Sequence, residues 1–151
     1  MPKGTEIDTP EPGSLDYQIL VQFLFNDPGG SGMRSGELAE KLNIRQSTVN
    51  SALKRLEIMG YLTWKHYGDA ELTNKGKDAL KHLEVHHHLI EVFLADSLQM
   101  TPEEAHAESM KVASHFSCLA IKRICDKYGN PEFCPSNMKI PDFPACHVHE
   151  E

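Results

Sequence analysis

Along most of the chain the apolar positions fall at helical spacing, and the breaks between them carry clear start and stop signals. Leu15, Ile19 and Phe23 share a face of a first helix that Ser14 is placed to cap. It ends near Asn26, before the flexible connector NDPGGSG. Ser35 stands as the cap of a short second helix with Leu38, Ala39 and Leu42. Asn43-Ile44-Arg45 makes a tight turn, because Asn tolerates the left-handed conformation that ends a helix and Ile44 plugs the corner. Val49, Leu53, Leu56 and Met59 mark the buried face of a third helix, which Gly60 ends. The pattern then changes. Tyr61, Leu62, Trp64 and Tyr67 favour strand, Gly68-Asp69 a turn, and Leu72 the returning strand.

Thr73 caps a long helix from Asn74 to about Leu98, with Leu80, Leu83, Leu89, Ile90, Phe93 and Leu94 as its other apolar positions. Thr101-Pro102-Glu103-Glu104 combines a Thr cap, Pro at the first helical position and a capping-box Glu, and predicts a helix to about Phe116. Ser117 caps a further helix through Leu119, Ile121, Ile124 and Tyr128 that stops at Gly129-Asn130-Pro131. The fold class is mainly α: an N-terminal winged helix-turn-helix followed by a helical domain that dimerises. The expected domains are a flexible tail over 1–13, the winged helix over 14–82, the helical module over 83–131 and an irregular tail over 132–151. The surplus of apolar side chains in so small a helical module, Leu94, Leu98, Leu119, Ile121 and Ile124, predicts a second copy of the chain as partner.

The outer face of the third helix carries Arg45, Gln46, Ser47, Thr48, Asn50, Ser51, Lys54 and Arg55. Small polar, amide and basic groups suit base edges and phosphates in a major groove, and Lys65 on the wing suits a phosphate. The net charge of −7 argues against a DNA binder until it is divided. Between Arg34 and Lys81 nine basic residues face six acidic ones, so this stretch holds +3 and the rest of the chain −10. That asymmetry predicts a double-stranded-DNA-facing module joined to an acidic module of another purpose. No apolar run is long enough to span a bilayer, and no signal peptide opens the chain. With four irregularly spaced cysteines, this predicts reduced thiols and a cytoplasmic protein that does not engage a membrane.

The acidic module holds the chemistry. His87 and Glu91 are four residues apart, so their side chains leave one helix on the same side. His106 and Met110 repeat that spacing on the next helix, and His115 lies about one and a half turns beyond. Imidazole with carboxylate suits Fe, Mn, Zn, Co or Ni. Three consecutive histidines, His86, His87 and His88, project around a helix, so at most two can address one ion. Cys134 and the run Cys146-His147-Val148-His149 offer a rival zinc chemistry, although their spacing is not that of a finger. Cys118 and Cys125, two turns apart, are expected to face the dimer core.

A winged helix, a long helix ending in HHLIEVFL, an acidic helix with His106 and then CPSNMKIP: this order resembles the diphtheria-toxin-repressor-like family of metal-dependent regulators, over about Leu15 to Pro141. The short length, without room for a third SH3-like domain, resembles its manganese-regulator branch. The resemblance implies a homodimer whose subunits have an N-terminal DNA-binding domain and a helical dimerisation domain, with divalent metal between them. Fe2+ or Mn2+ is the implied ion, with Zn2+, Co2+ or Ni2+ as further candidates. It also makes Asp16 a metal ligand and matches His87, Glu91 and His106 to the second site of the toxin-repressor branch. The chain departs from the family where a Glu and a His are usual: Ala113 and Ser114 stand there, with His115 one residue late. One residue is about 100° around a helix, so His115 does not simply substitute. The expected ligands are therefore His87, Glu91 and His106, with Asp16, Met110 and His115 as outer candidates.

These observations together predict a dimeric, metal-dependent transcriptional regulator, a repressor of metal-uptake genes, acting on a palindromic operator. Metal would favour the dimer that binds DNA. There is no Gly-rich phosphate loop and no coherent nucleophile–base arrangement, so the chain is not expected to be an enzyme. Two alternatives stand beside this reading. One is a winged-helix regulator that senses thiol oxidation or a protein partner; the other, weaker, is a metal-dependent hydrolase.

Overall fold

The computed structural model describes residues 9–11, 13–27, 31–65 and 68–141. Outside them fall most of the N-terminal segment, residues 28–30, Tyr67, and Cys146, His147 and His149. The described chain divides into two compact units, one ending at Leu80 and one beginning at Lys81.

The first unit contains α1 (Leu15–Asn26), α2 (Ser35–Leu42), α3 (Gln46–Ile58), β1 (Leu62–Trp64), β2 (Ala70–Leu72) and the start of α4 (Asn74–Ser97). Ser14 caps α1 by accepting from the Tyr17 N–H at 3.1 Å. Asn43 takes the left-handed conformation expected of it, φ 54° and ψ 48°, and closes α2. Ser35 is the first residue of α2 rather than its cap, and its hydroxyl accepts from the Gln46 side chain at 3.0 Å. Ile19, Leu20, Phe23, Leu38, Val49, Leu53 and Leu56 fill the core. Met59 does not join them: it is the cap residue after α3 and is exposed, while Gly60 makes the following turn at φ +88°. The wing is an antiparallel pair in the register Leu62↔Leu72, Thr63↔Glu71, Trp64↔Ala70. Met33 bridges to Ala70 and ties the connector to it.

Thr73 holds the start of α4 in place. Its hydroxyl donates to the Gly60 carbonyl and accepts from the Gly76 N–H at 3.2 Å. Gly76 is required there, because a Cβ would run into the Tyr61 carbonyl oxygen. Helix start and wing are thus in backbone contact, which fixes where α4 begins.

The second unit holds the rest of α4, α5 (Pro102–Val112), a 3-10 turn (Ala113–His115) and α6 (Cys118–Lys127). The capping box at α5 is complete: Thr101 Oγ1 accepts from the Glu104 N–H at 3.2 Å, and Glu104 Oε1 accepts from the Thr101 N–H at 3.0 Å. The α-helix stops at Val112, earlier than its apolar pattern predicts, and tightens into the 3-10 turn. Val85, Leu89, Ile90, Ala113, Ile121, Ile124 and Cys125 form the core, with Phe93, Leu94 and Phe116 packed against it. Leu98 and Leu119 are exposed. Cys125 is buried within this core while Cys118 is exposed, so the two thiols do not share the surroundings that their spacing led us to expect. Residues 131–141 form no helix or strand and are held by a Phe133–Lys139 bridge and by backbone hydrogen bonds from Cys134 to Met138 and from Ile140 to Glu132.

Candidate metal centre and nucleic-acid interface

The triplet of histidines lies mid-helix in α4, where Val85, Leu89 and Ile90 turn the same segment toward the core. His86, His87 and His88 are consequently all buried, and so is Glu91 at 1% exposure. A carboxylate so deeply buried is held ionised only by partners. Burial pushes its pKa up, but His87, His88 and a hydrogen bond from the Cys134 thiol outweigh it and leave Glu91 well below the usual carboxylate range. His87 Nε2 lies 2.7 Å and His106 Nδ1 2.9 Å from Glu91 Oε1. His88 Nδ1 lies 3.7 Å from Oε2, and His88 Nε2 lies 3.6 Å from Glu84 Oε1. Burial lowers the His88 pKa, but hydrogen bonding to Glu84 and Glu91 raises it further, to about 9, so this ring is an imidazolium at neutral pH. Burial also pushes up the Cys134 thiol.

The tautomer of His87 follows from its other neighbour. The Ser109 hydroxyl donates to the His106 carbonyl at 2.8 Å, so at 2.6 Å it must accept from His87 Nδ1. His87 therefore carries its proton on Nδ1, and Nε2 presents a lone pair to Glu91 when the ring is neutral. That nitrogen and Glu91 Oε2 have no aligned hydrogen bond despite their burial. Two electron-rich atoms 2.7 Å apart need a cation between them, a proton or a metal ion. Donor atoms of His87, His88 and Glu91 lie within 4.8 Å of one another; imidazole with carboxylate matches a divalent transition metal, and an ion that also took His88 would first have to displace its proton. The residues thus fit such an ion.

His87, Glu91 and His106 come together from α4 and α5. Asp16 belongs to the first unit and is engaged there by Arg55, whose guanidinium donates to it at 2.9 and 3.3 Å. Met110 is half-buried on α5, and His115 is exposed at the end of the 3-10 turn. Among the described residues, neither His106 nor His115 is in a group of convergent metal-ligating side chains; His106 meets the cluster through Glu91, whereas His115 makes no such contact with it. Sequence alone does not place His88, Ser109 or Cys134 in this cluster: it reads His88 only as one of three consecutive histidines and Cys134 only as part of a rival zinc chemistry. His88 is three residues from Glu91 and its spacing could have revealed it; Ser109 and Cys134 reach the site only through tertiary packing.

On α3, Arg45, Gln46, Ser47, Thr48, Ser51 and Lys54 are exposed, as is Lys65 beside the wing. Ser51 donates to the Ser47 carbonyl at 3.1 Å. Asn50 differs from the exposed position expected of it: it is half-buried and its carboxamide oxygen is covered, because it lies next to Val49 on the inner edge of the helix.

A helix-turn-helix with a wing, joined to a helical unit that buries imidazoles around a carboxylate, defines a winged-helix regulator with an ion-binding module. Residues 25–70 match the iron dependent repressor N-terminal DNA binding domain, and residues 73–142 match the iron dependent repressor metal binding and dimerisation domain. The HTH-type transcriptional regulator MntR of Geobacillus thermodenitrificans is 30% identical over 117 residues, covering 78% of this chain and 81% of the relative. An uncharacterized HTH-type transcriptional regulator of Methanocaldococcus jannaschii is 29% identical over 111 residues, 74% of this chain and 89% of the relative. A solved manganese-dependent transcriptional repressor complex with manganese shares the fold, with a TM-score of 0.72 at 24% identity over 84% of this chain and 58% of that one. The chain belongs to the iron-dependent repressor family, the diphtheria-toxin-repressor-like group of metal-dependent transcriptional regulators.

Proposed function

We propose that this regulator is a cytoplasmic homodimer that represses metal-uptake genes from a palindromic operator, and that His87, Glu91 and His106 hold its effector ion. The observation that carries the reading is the buried contact of His87 Nε2 with Glu91 Oε1, fixed by Ser109 and lacking an aligned hydrogen bond. When bound there, a divalent ion supplies the positive charge that this contact requires and ties α4 to α5. Ser109 orients the His87 ring by accepting from its Nδ1–H, which leaves Nε2 to face the ion. Carboxylate with imidazole and no required thiolate suits manganese or iron, and manganese is the ion named for the repressor that shares this fold. Exposed Leu119 on α6 and Leu98 after α4 supply apolar surface for a second copy. Arg45, Gln46, Ser47, Thr48 and Ser51 would meet base edges, with Asn50 at their margin, while Lys54 and Lys65 would meet phosphates. In a two-fold dimer, recognition helices about 34 Å apart enter successive major grooves. The ion acts by binding the DNA-competent arrangement more tightly than the others.

Titration calorimetry with Mn2+ on the full chain tests the ligand set, and selection from a random duplex library with and without Mn2+ tests the DNA reading. Metal-dependent enrichment of a palindrome is expected, lost in His87→Ala. Equal enrichment without metal, or unchanged Mn2+ affinity in His87→Ala, Glu91→Gln and His106→Ala alike, would overturn it.

A further inference from the structure

The histidine triplet divides between two groups of side chains. His87 and His88 face Glu91, whereas His86, about 100° further round the helix, turns its Nε2 to the Cys118 sulfur at 3.7 Å. His82, one turn earlier, brings its own Nε2 to 3.8 Å from the same sulfur. The two rings lie 4.2 Å apart between centroids, tilted by 39°, and the three ligand atoms fall within 4.8 Å of one another. We propose that His82, His86 and Cys118 form a second metal site, thiolate-containing and of the zinc class, separate from the ion held by His87 and Glu91.

The distances are those that tetrahedral coordination requires. Bonds of about 2.0–2.1 Å to nitrogen and about 2.3 Å to sulfur give an N···S edge of about 3.6 Å at the tetrahedral angle. The elements also hold the ligands in place. His82 and His86 are one turn apart on α4, and Cys118 is the first residue of α6, where Ser117 fixes the helix start by accepting from the Ala120 N–H at 3.2 Å. His86 is buried, His82 half-buried and Cys118 exposed, so a fourth position opens to solvent for water. Sulfur with two imidazoles favours zinc and disfavours manganese, so the two sites select different ions. An ion here would staple the start of α6 to α4, next to the core residues Ile121 and Ile124.

Co2+ titration of the reduced full chain reads this site directly, because only a thiolate ligand gives the sulfur-to-cobalt charge-transfer band in the near ultraviolet. A band that saturates by two equivalents per chain, one for each site, and bleaches on adding Zn2+ is expected. Cys118→Ser should abolish it, His82→Gln should weaken the Co2+ affinity at least about tenfold, and Cys134→Ser should leave the band in place. Mn2+ affinity should be unchanged in Cys118→Ser, which separates this site from the one at Glu91. Absence of the band from the wild-type protein, its persistence in Cys118→Ser, or its loss in Cys134→Ser would overturn the assignment.

Discussion

The interiors of the two units differ in kind. In the first unit, among the described residues, the only buried charged side chain is that of Asp27, and it is fully used by its own loop. Its carboxylate accepts from the Ser31 N–H and hydroxyl at 2.8 and 2.9 Å and from the Gly32 N–H at 2.9 Å. In the second unit His86, His87, His88, Glu91 and Ser109 are all buried, and His87 Nε2, His88 Nδ1 and Glu91 Oε2 lack aligned hydrogen bonds. A buried polar group that the backbone satisfies holds a loop. Buried polar groups that aim at one another across helices make a cluster that can hold a ligand.

Removing a ligand from the second interior should give the largest effect. Glu91→Gln is expected to lose more than about 100-fold in Mn2+ affinity by calorimetry. The wild-type chain should gain about 2.7 kcal/mol of stability at a metal concentration 100 times Kd, a gain that chelation reverses and that Glu91→Gln does not show. Equal metal-induced shifts in melting temperature for the two proteins would erase the contrast. Cutting the apolar interior should act only on stability. Leu53→Ala removes a fully buried side chain from the first unit, which should cost about 2–5 kcal/mol in urea unfolding followed by tryptophan fluorescence. Trp64, the sole tryptophan, lies in the wing and reports that unit alone. Gly76→Ala should cost about 1–3 kcal/mol in the same assay, since the added methyl meets the Tyr61 carbonyl and either wing or helix start has to shift. An unchanged unfolding midpoint would show that the contact between α4 and the wing is slack.

What the sequence made legible was whatever one element carries alone. Thr101, Pro102 and Glu104 announce α5 because a capping box is complete within four residues. Asn43 announces the turn for the same local reason, and the four-residue step from His87 to Glu91 places both side chains on one side of α4 without further knowledge. Met59 was misplaced because helical periodicity continues through a helix end without marking it. Asn50 was misplaced by the opposite ambiguity, since one helical step separates the inner edge of α3 from its outer face. The Ser109 and Cys134 contacts with the histidine–glutamate cluster, and the approach of Cys118 to His82, join positions far apart in sequence. Only packing reveals such pairs.

The smallest expected effect is at Asp16, and it tests where the boundary between the two kinds of interior runs. Family resemblance makes this residue a metal ligand, whereas the structure gives it to Arg55, at 2.9 Å, with 15% of the Asp16 side chain and 51% of the Arg55 side chain exposed. The pair raises the pKa of Arg55, chiefly through the hydrogen bond. So exposed a guanidinium is well screened by solvent, which limits the pair to less than about 1 kcal/mol. Asp16→Asn should therefore lower the stability of the first unit by no more than that in the tryptophan assay, and should leave Mn2+ affinity within about threefold of wild type. It should also release Arg55, which extends from the recognition helix, to engage phosphate. Each phosphate neutralised adds about 0.9 to the slope of log affinity against log salt for duplex DNA, so the variant should bind DNA with a salt dependence steeper by up to that amount. A loss of Mn2+ affinity of tenfold or more would instead place Asp16 among the ligands and extend the metal centre into the first unit. Unchanged affinity together with the steeper slope would fix it as a local restraint on the DNA-binding surface.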